Sequence, residues 1–154
     1  MREVERIIDQ LKRSVDGGAW HGPSLIELLD GVSATQAAAR PLSEAHSIWE
    51  IVHHCTVWMN QIRLRLHGNV EKDLPPERDW PPQPSKFDKQ SWQAAIDHLH
   101  DAHQALAVEI TKISDMRLDD PILKGFSSIY ATLHGVVQHN LYHAGQIAVI
   151  KKAI

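Results

Sequence analysis

The sequence lacks the features that define several classes of protein. Its 154 residues include one cysteine, Cys55, so no internal disulfide can form. No apolar run approaches the roughly 20 residues that a membrane span requires, and there is no internal repeat. Residues 1–6 carry charges where a signal peptide needs apolar side chains. We therefore expect a cytoplasmic protein with no membrane partner.

Charges of one sign are not in large excess. The chain has 16 basic and 19 acidic residues, mixed along its length, and a formal net charge of −3 at pH 7. Binding to a nucleic-acid backbone needs a basic face, which this composition does not supply. We therefore expect no nucleic-acid partner. The length is that of one domain, so residues 1–154 are predicted to form a single domain with a substantial core.

Apolar residues recur at helical spacing in several segments, and no segment alternates as a β-strand does. Residues 69–86 contain five prolines, and we predict that this long link is a non-helical crossover. Such a crossover allows the helices on either side of it to run the same way. The pattern predicts an all-α bundle. Its long helices are expected over residues 2–15, 45–66, from Asp88 or Ser91 to about 114, and 128–152, with short helices over 23–31 and 33–40.

Histidine is unusually abundant, with 11 residues. His139 and His143 lie four residues apart in the last predicted helix, so the second ring is rotated by about 40° and raised by about 6 Å. At about 100° per residue, both share one narrow arc with Val136, Ile147 and Ile150, where a core would carry aliphatic side chains. The two rings can therefore converge on one ion.

A catalytic zinc site usually has three protein ligands and an open position, so a third ligand is needed. In the predicted helix over residues 45–66, His54 projects between Ile51 and Trp58, whereas His53 points away from this stripe. If this helix is antiparallel to the last one, His54 lies at the level of His143. His54, His139 and His143 are therefore the predicted metal ligands.

Other residues fit such a site less well. His103 also lies on an apolar stripe, but about 10 Å along the axis from the level of His54, so we predict a partly buried core histidine with a hydrogen-bond partner. Cys55 is predicted to be a small core residue rather than a ligand. A metalloprotease helix is excluded, because Asn140 follows His139 where a His-Glu-x-x-His motif has its acid. The remaining histidines are predicted to be exposed or to cap helices: His21, His46, His53, His67, His98, His100 and His134.

Two segments resemble a known family. Residues 47–54 read Ser-Ile-Trp-Glu-Ile-Val-His-His, with His54 four residues after Glu50, and residues 139–147 read His-Asn-Leu-Tyr-His-Ala-Gly-Gln-Ile. Both resemble patterns of the DinB-like superfamily, metal-binding four-helix bundles that include the YfiT-type thiol transferases. The resemblance covers most of the chain. It implies an up-down-down-up bundle with a long link between its second and third helices, a divalent metal such as zinc or nickel, and a homodimer.

The resemblance leaves the activity open between a transferase of low-molecular-weight thiols and a hydrolase, each acting on a small-molecule substrate. Glu50 and Gln146 lie one turn from predicted ligands and are candidates for positioning a ligand or transferring a proton. An ordinary salt bridge or helix hydrogen bond is the alternative for each. The alternative function is a non-catalytic, metal-binding or stress-related dimeric bundle, and a further one is a dimerising bundle without metal.

Overall fold

The computed structural model describes residues 1–69, 71 and 73–154. These residues form helices and loops without a β-strand, apart from an isolated bridge between Pro121 and Ser128. The all-α prediction is confirmed. The α-helices are α1 (Glu3–Val15), α2 (Leu25–Leu29), α3 (Ala34–Ala38), α4 (Ile48–Leu66), α5 (Pro76–Asp79), α6 (Lys89–Thr111) and α7 (Ile129–Lys151), with a 3-10 turn over Asp115–Arg117.

Polar caps set the starts of the long helices. The side chains of Ser47, Asp88 and Ser128 each accept a hydrogen bond from a backbone N–H in the first turn of α4, α6 and α7. The predicted start at residue 45 is therefore a few residues early, because Ser47 is the cap of α4. Gly68, at φ +86°, follows the end of α4 in a conformation that favours glycine.

The prediction that residues 69–86 contain no helix is wrong for one turn, α5. Pro75 is its N-cap and Pro76 its first residue. Proline is tolerated there because the N–H groups of the first turn have no partner within the helix. Val70 and Lys72 of the same link lie outside the described residues.

Helices α4 and α6 run parallel, as the long crossover permits. Near their starts, the ring centroids of Trp49 and Trp92 are 5.0 Å apart. Near their ends, His67 Nε2 lies 3.1 Å from a carboxylate oxygen of Glu109.

Helices α1 and α7 run in the opposite direction. The Asp115 carboxylate, just beyond the end of α6, accepts hydrogen bonds from the backbone N–H groups of Glu3 and Val4 at the start of α1, at 2.8 and 3.1 Å. In α7, His139 contacts Trp58 in the middle of α4, with ring centroids 6.1 Å apart, and the later His143 contacts the earlier His54. The up-down-down-up order is confirmed, and α4 and α7 form an antiparallel pair.

The core lies between the four long helices. Cys55 is fully buried there, and burial raises the pKa of its thiol far above the usual range. No helix among the described residues combines the length and apolarity needed to cross a bilayer. The largest fully buried side chains are Trp49, Ile7, Leu11, Leu25, Ile48, Ile51, Met59, Leu99, Leu106, Ile110, Leu133 and Ile147.

Candidate metal centre

His54 of α4 meets His139 and His143 of α7 inside the bundle. The Nε2 atoms of His54 and His139 are 3.0 Å apart, and one ring nitrogen from each of the three histidines lies within 4.8 Å of the others. Two nitrogen ligands of a tetrahedral zinc ion are about 3.3 Å apart, since each zinc–nitrogen bond is about 2.0–2.1 Å. The spacing of His54 and His139 is therefore close to that of two ligands of one ion, and the third ring nitrogen lies within reach of the same position. In the described part of the chain, this is the one group of three or more histidine, cysteine or carboxylate side chains at such spacing.

The neighbours of His54 and His143 determine which ring nitrogen carries hydrogen. Nδ1 of His54 lies 2.7 Å from the backbone carbonyl oxygen of Asp79, and Nδ1 of His143 lies 2.6 Å from Oε1 of Gln146. Both partners are acceptors, so each Nδ1 is the donor and carries the hydrogen. Each Nε2 then has its lone pair free, the form in which an imidazole binds a metal.

Burial keeps these imidazoles neutral. Burial, with the neighbouring His143 and His54, lowers the pKa of His139 to about 3, and burial is the main reason that the pKa of His143 falls to about 4. Burial also lowers the pKa of His54. All three are therefore uncharged at neutral pH and have lone pairs to offer.

The sequence profile of the DinB superfamily matches residues 20–147, which is most of the chain. The chain belongs to the DinB superfamily. No curated protein and no solved structure matches it significantly. The family assignment thus rests on the profile, and it agrees with the observed bundle and with its histidine cluster.

Two residues of the link contact the cluster of this DinB protein, and sequence reasoning missed both. Besides its carbonyl contact, Asp79 places Oδ1 3.2 Å from His54 Nδ1 and accepts a hydrogen bond from Trp58 Nε1 at 2.8 Å. The Trp80 ring stacks on His54 and on His46, at centroid distances of 3.8 and 3.6 Å. The one sequence clue was a tryptophan next to the Pro81–Pro82 pair in a link otherwise interpreted as a spacer.

Glu50 takes part in the start of α4. Its carboxylate accepts hydrogen bonds from the backbone N–H and hydroxyl of Ser47, at 2.9 and 3.2 Å, and from the guanidinium of Arg40. His46 Nδ1 lies 3.5 Å from the same carboxylate. These contacts form a capping box with an added ion pair. The predicted role of Glu50 in proton transfer stays a prediction.

The two rival histidines lie outside the cluster. His53 Nε2 accepts a hydrogen bond from Trp49 Nε1 at 3.1 Å. The prediction of a core histidine at position 103 is confirmed, but the side chain is fully rather than partly buried and its ring nitrogens have no hydrogen-bond partner among the described residues. Its Nδ1 lies 3.7 Å from Asp16 Oδ1, beyond hydrogen-bond distance. The burial follows from the position of α6, which packs against both α1 and α4.

Two hollows lie near the cluster in this DinB protein, and the second of them is lined by one of its histidines. One, of about 530 Å³, is lined by residues that include His46, Tyr142, Gly145 and Gln146. The other, of about 270 Å³, is lined by residues of α4 and α7 that include His139 itself. A larger hollow, of about 870 Å³, lies between α2, α3 and α6 and borders none of the three histidines. Space for a small molecule therefore exists directly beside His139, and further space lies beside Gln146, the partner of His143.

Proposed function

We propose that the chain binds one divalent metal ion, zinc or nickel, through Nε2 of His54, His139 and His143. The observation that carries this proposal is the pair of acceptors, Asp79 and Gln146, that hold hydrogen on Nδ1 of two of these rings. Such outer partners fix the tautomer and orientation of metal-binding histidines. Neutral imidazole is also a ligand that suits zinc and nickel.

We further propose that the centre is catalytic and acts on a small molecule. Three protein ligands leave the remaining coordination positions to water or substrate. The chemistry that a divalent ion supplies there is the deprotonation of a thiol or a water molecule near neutral pH. In the thiol reaction, sulfur loses its proton to solvent and forms a bond to an electrophilic carbon, which releases its leaving group with the bonding electrons. Hydrolysis is the corresponding reaction with water as the nucleophile.

In this proposal the chain's own residues orient the site and shield it. Asp79 and Gln146 hold the rings of His54 and His143, and Trp80 covers the face of His54 on which it stacks. The hollow lined by His139 accepts the substrate beside that ligand. Exclusion of bulk water strengthens electrostatic interactions inside such a site.

Metal content and thiol transfer, measured on the same preparations, test this function. Protein purified without a His-tag should contain about one divalent metal per chain by elemental analysis. With a chromogenic aryl halide and a panel of low-molecular-weight thiols, thioether formation should depend on that metal and stop after chelation. The double variant His54→Ala, His143→Ala should lose both metal and turnover.

His53→Ala is the matched control, because His53 is adjacent in sequence but bonds to Trp49 instead of joining the cluster. It should keep its metal and its rate. Full metal occupancy in the double variant would contradict the site. One metal per chain without turnover on thiol or hydrolytic substrates would instead favour the non-catalytic, metal-binding bundle.

A further inference from the structure

We propose that the smaller hollow beside His139 is a subsite for an uncharged, apolar group of the small molecule that binds at the three histidines, and that Gly135 keeps it open. This inference rests on the proposed function and specifies the class of ligand. The hollow measures about 270 Å³ and is lined by Trp58, Ile62, Thr132, Gly135, Val136 and His139. Since a cavity of about 150 Å³ can hold benzene, one aromatic ring or a short branched alkyl chain fits.

The lining of the hollow selects against charge. Ile62 and Val136 are buried aliphatic residues, and Trp58 supplies an aromatic surface. The other residues of the lining, Thr132, Gly135 and His139, bring no carboxylate, ammonium or guanidinium group. An ionised group placed here would lose its hydration without gaining a charged partner from this lining, which is costly.

Neither the packing nor the backbone of α7 requires a glycine at position 135. Gly135 lies in the interior of α7, where glycine costs about 1 kcal/mol relative to alanine. A Cβ atom added at this position meets no heavy atom within 4 Å. Gly135 is also not one of the glycines that have a positive φ. Neither close packing nor backbone conformation therefore explains the residue. Its effect in the fold is to leave space directly beside the cluster.

Asp79 contacts both Trp58, which forms the wall of the hollow opposite α7, and His54, a proposed metal ligand. Trp58 Nε1 donates to Asp79 Oδ1 at 2.8 Å, while the carbonyl of Asp79 accepts from His54. The Trp58 and His139 ring centroids are 6.1 Å apart. The aromatic wall and the metal-binding nitrogen are thus positioned together, so a group in the hollow lies next to whatever is bound at the histidines.

Titration of the cobalt-loaded protein with two thiols tests the subsite. Benzyl mercaptan carries an aromatic ring and 2-mercaptoethanol does not, and binding of either is followed by its sulfur-to-cobalt charge-transfer absorption. The wild type should bind benzyl mercaptan about tenfold or more tightly, because the ring is removed from water. Gly135→Leu fills the hollow and should reduce this preference to about threefold or less.

Gln138→Leu is the matched control, since Gln138 is exposed on the same helix and lines neither hollow. It should keep the preference. Thr132→Phe narrows the same hollow as Gly135→Leu and gives a second test if that variant folds poorly. Equal affinities in the wild type, or a preference unchanged in both Gly135→Leu and Thr132→Phe, would overturn the subsite while leaving the proposed function intact.

A second readout separates the two proposals. Toluene added to the metal-free protein should shift the NMR signals of the Val136 methyl groups in the wild type but not in Gly135→Leu. Absence of these shifts overturns the subsite. Absence of a charge-transfer band with both thiols, on protein that holds cobalt, contradicts the proposed thiol chemistry instead.

Discussion

Gln146 holds the ring of His143 in the candidate metal centre through one hydrogen bond. Its Oε1 accepts from His143 Nδ1 at 2.6 Å, and the two residues lie about one helical turn apart, so α7 itself provides the geometry. If this contact were lost, the ring could rotate and its proton could move to Nε2. The free energy of metal binding should therefore depend on Gln146.

We expect Gln146→Leu to weaken zinc binding by about 10- to 100-fold, the usual cost of removing an outer partner of a metal-bound histidine. Gln146→Glu keeps an acceptor and should bind within a few-fold of the wild type. Competition with a chromophoric chelator measures both affinities. Equal affinities of the Leu variant and the wild type would show that Gln146 does not position His143.

At the scale of the element, the first turn of α4 connects helix stability with the site. The side chains of Ser47 and Glu50 each accept a hydrogen bond from the backbone N–H of the other residue, and Arg40 forms an ion pair with the Glu50 carboxylate. The cap fixes where α4 begins, and hence the level at which His54 faces α7. The direct contacts of the Glu50 carboxylate, however, are with the backbone and hydroxyl of Ser47, with Arg40 and with His46.

Glu50→Ala should therefore lower the free energy of unfolding by about 1–2 kcal/mol, as loss of a helix cap does, and leave zinc affinity within a few-fold. Glu50→Gln retains the capping acceptor and should lose less stability. Urea unfolding and chelator competition supply the two measurements. A variant with unchanged stability but tenfold weaker zinc binding would support the ligand-positioning role predicted for Glu50 instead.

At the scale of the whole molecule, the bundle buries several histidines that must stay neutral. Burial lowers the pKa values of His53, His54, His103, His139 and His143. In the unfolded chain these groups titrate near 6.5. Between that pH and their lower folded pKa values, the unfolded state binds more protons, so acid favours unfolding.

In the metal-free protein, the contribution of these histidines to the free energy of unfolding should be fully present above pH 6.5. It should fall as the pH drops toward 4. His139 and His143 should each contribute a slope of up to about 1.4 kcal/mol per pH unit in this range. Urea unfolding at pH 7.5 and pH 5 measures the loss. The double variant His139→Gln, His143→Gln should lose less stability, and an equal loss in both proteins would contradict this account.

Much of the bundle could be predicted, because its information is local. Caps such as Ser128, breakers such as Gly68 and apolar spacing define helix bounds within a few residues. Helix α5 inside the link was not predicted, because the number of prolines was taken to exclude any helix. Pro75 and Pro76 stand at the N-cap and first position of α5, where proline is tolerated. His103 was misjudged because helix projection reports a face but not how deeply two neighbouring helices cover it.

The sequence by itself determined that His139 and His143 share one face, and it indicated His54 as their partner on the condition that the two helices are antiparallel. Helical periodicity places His139 and His143 on one face, and the antiparallel arrangement brings His54 to their level. The parts that only the tertiary structure decided are Asp79, Trp80 and the hollow beside Gly135. They depend on how an irregular link packs against the bundle and on where two separate helices meet, and an irregular link has no helical periodicity from which its contacts could be projected.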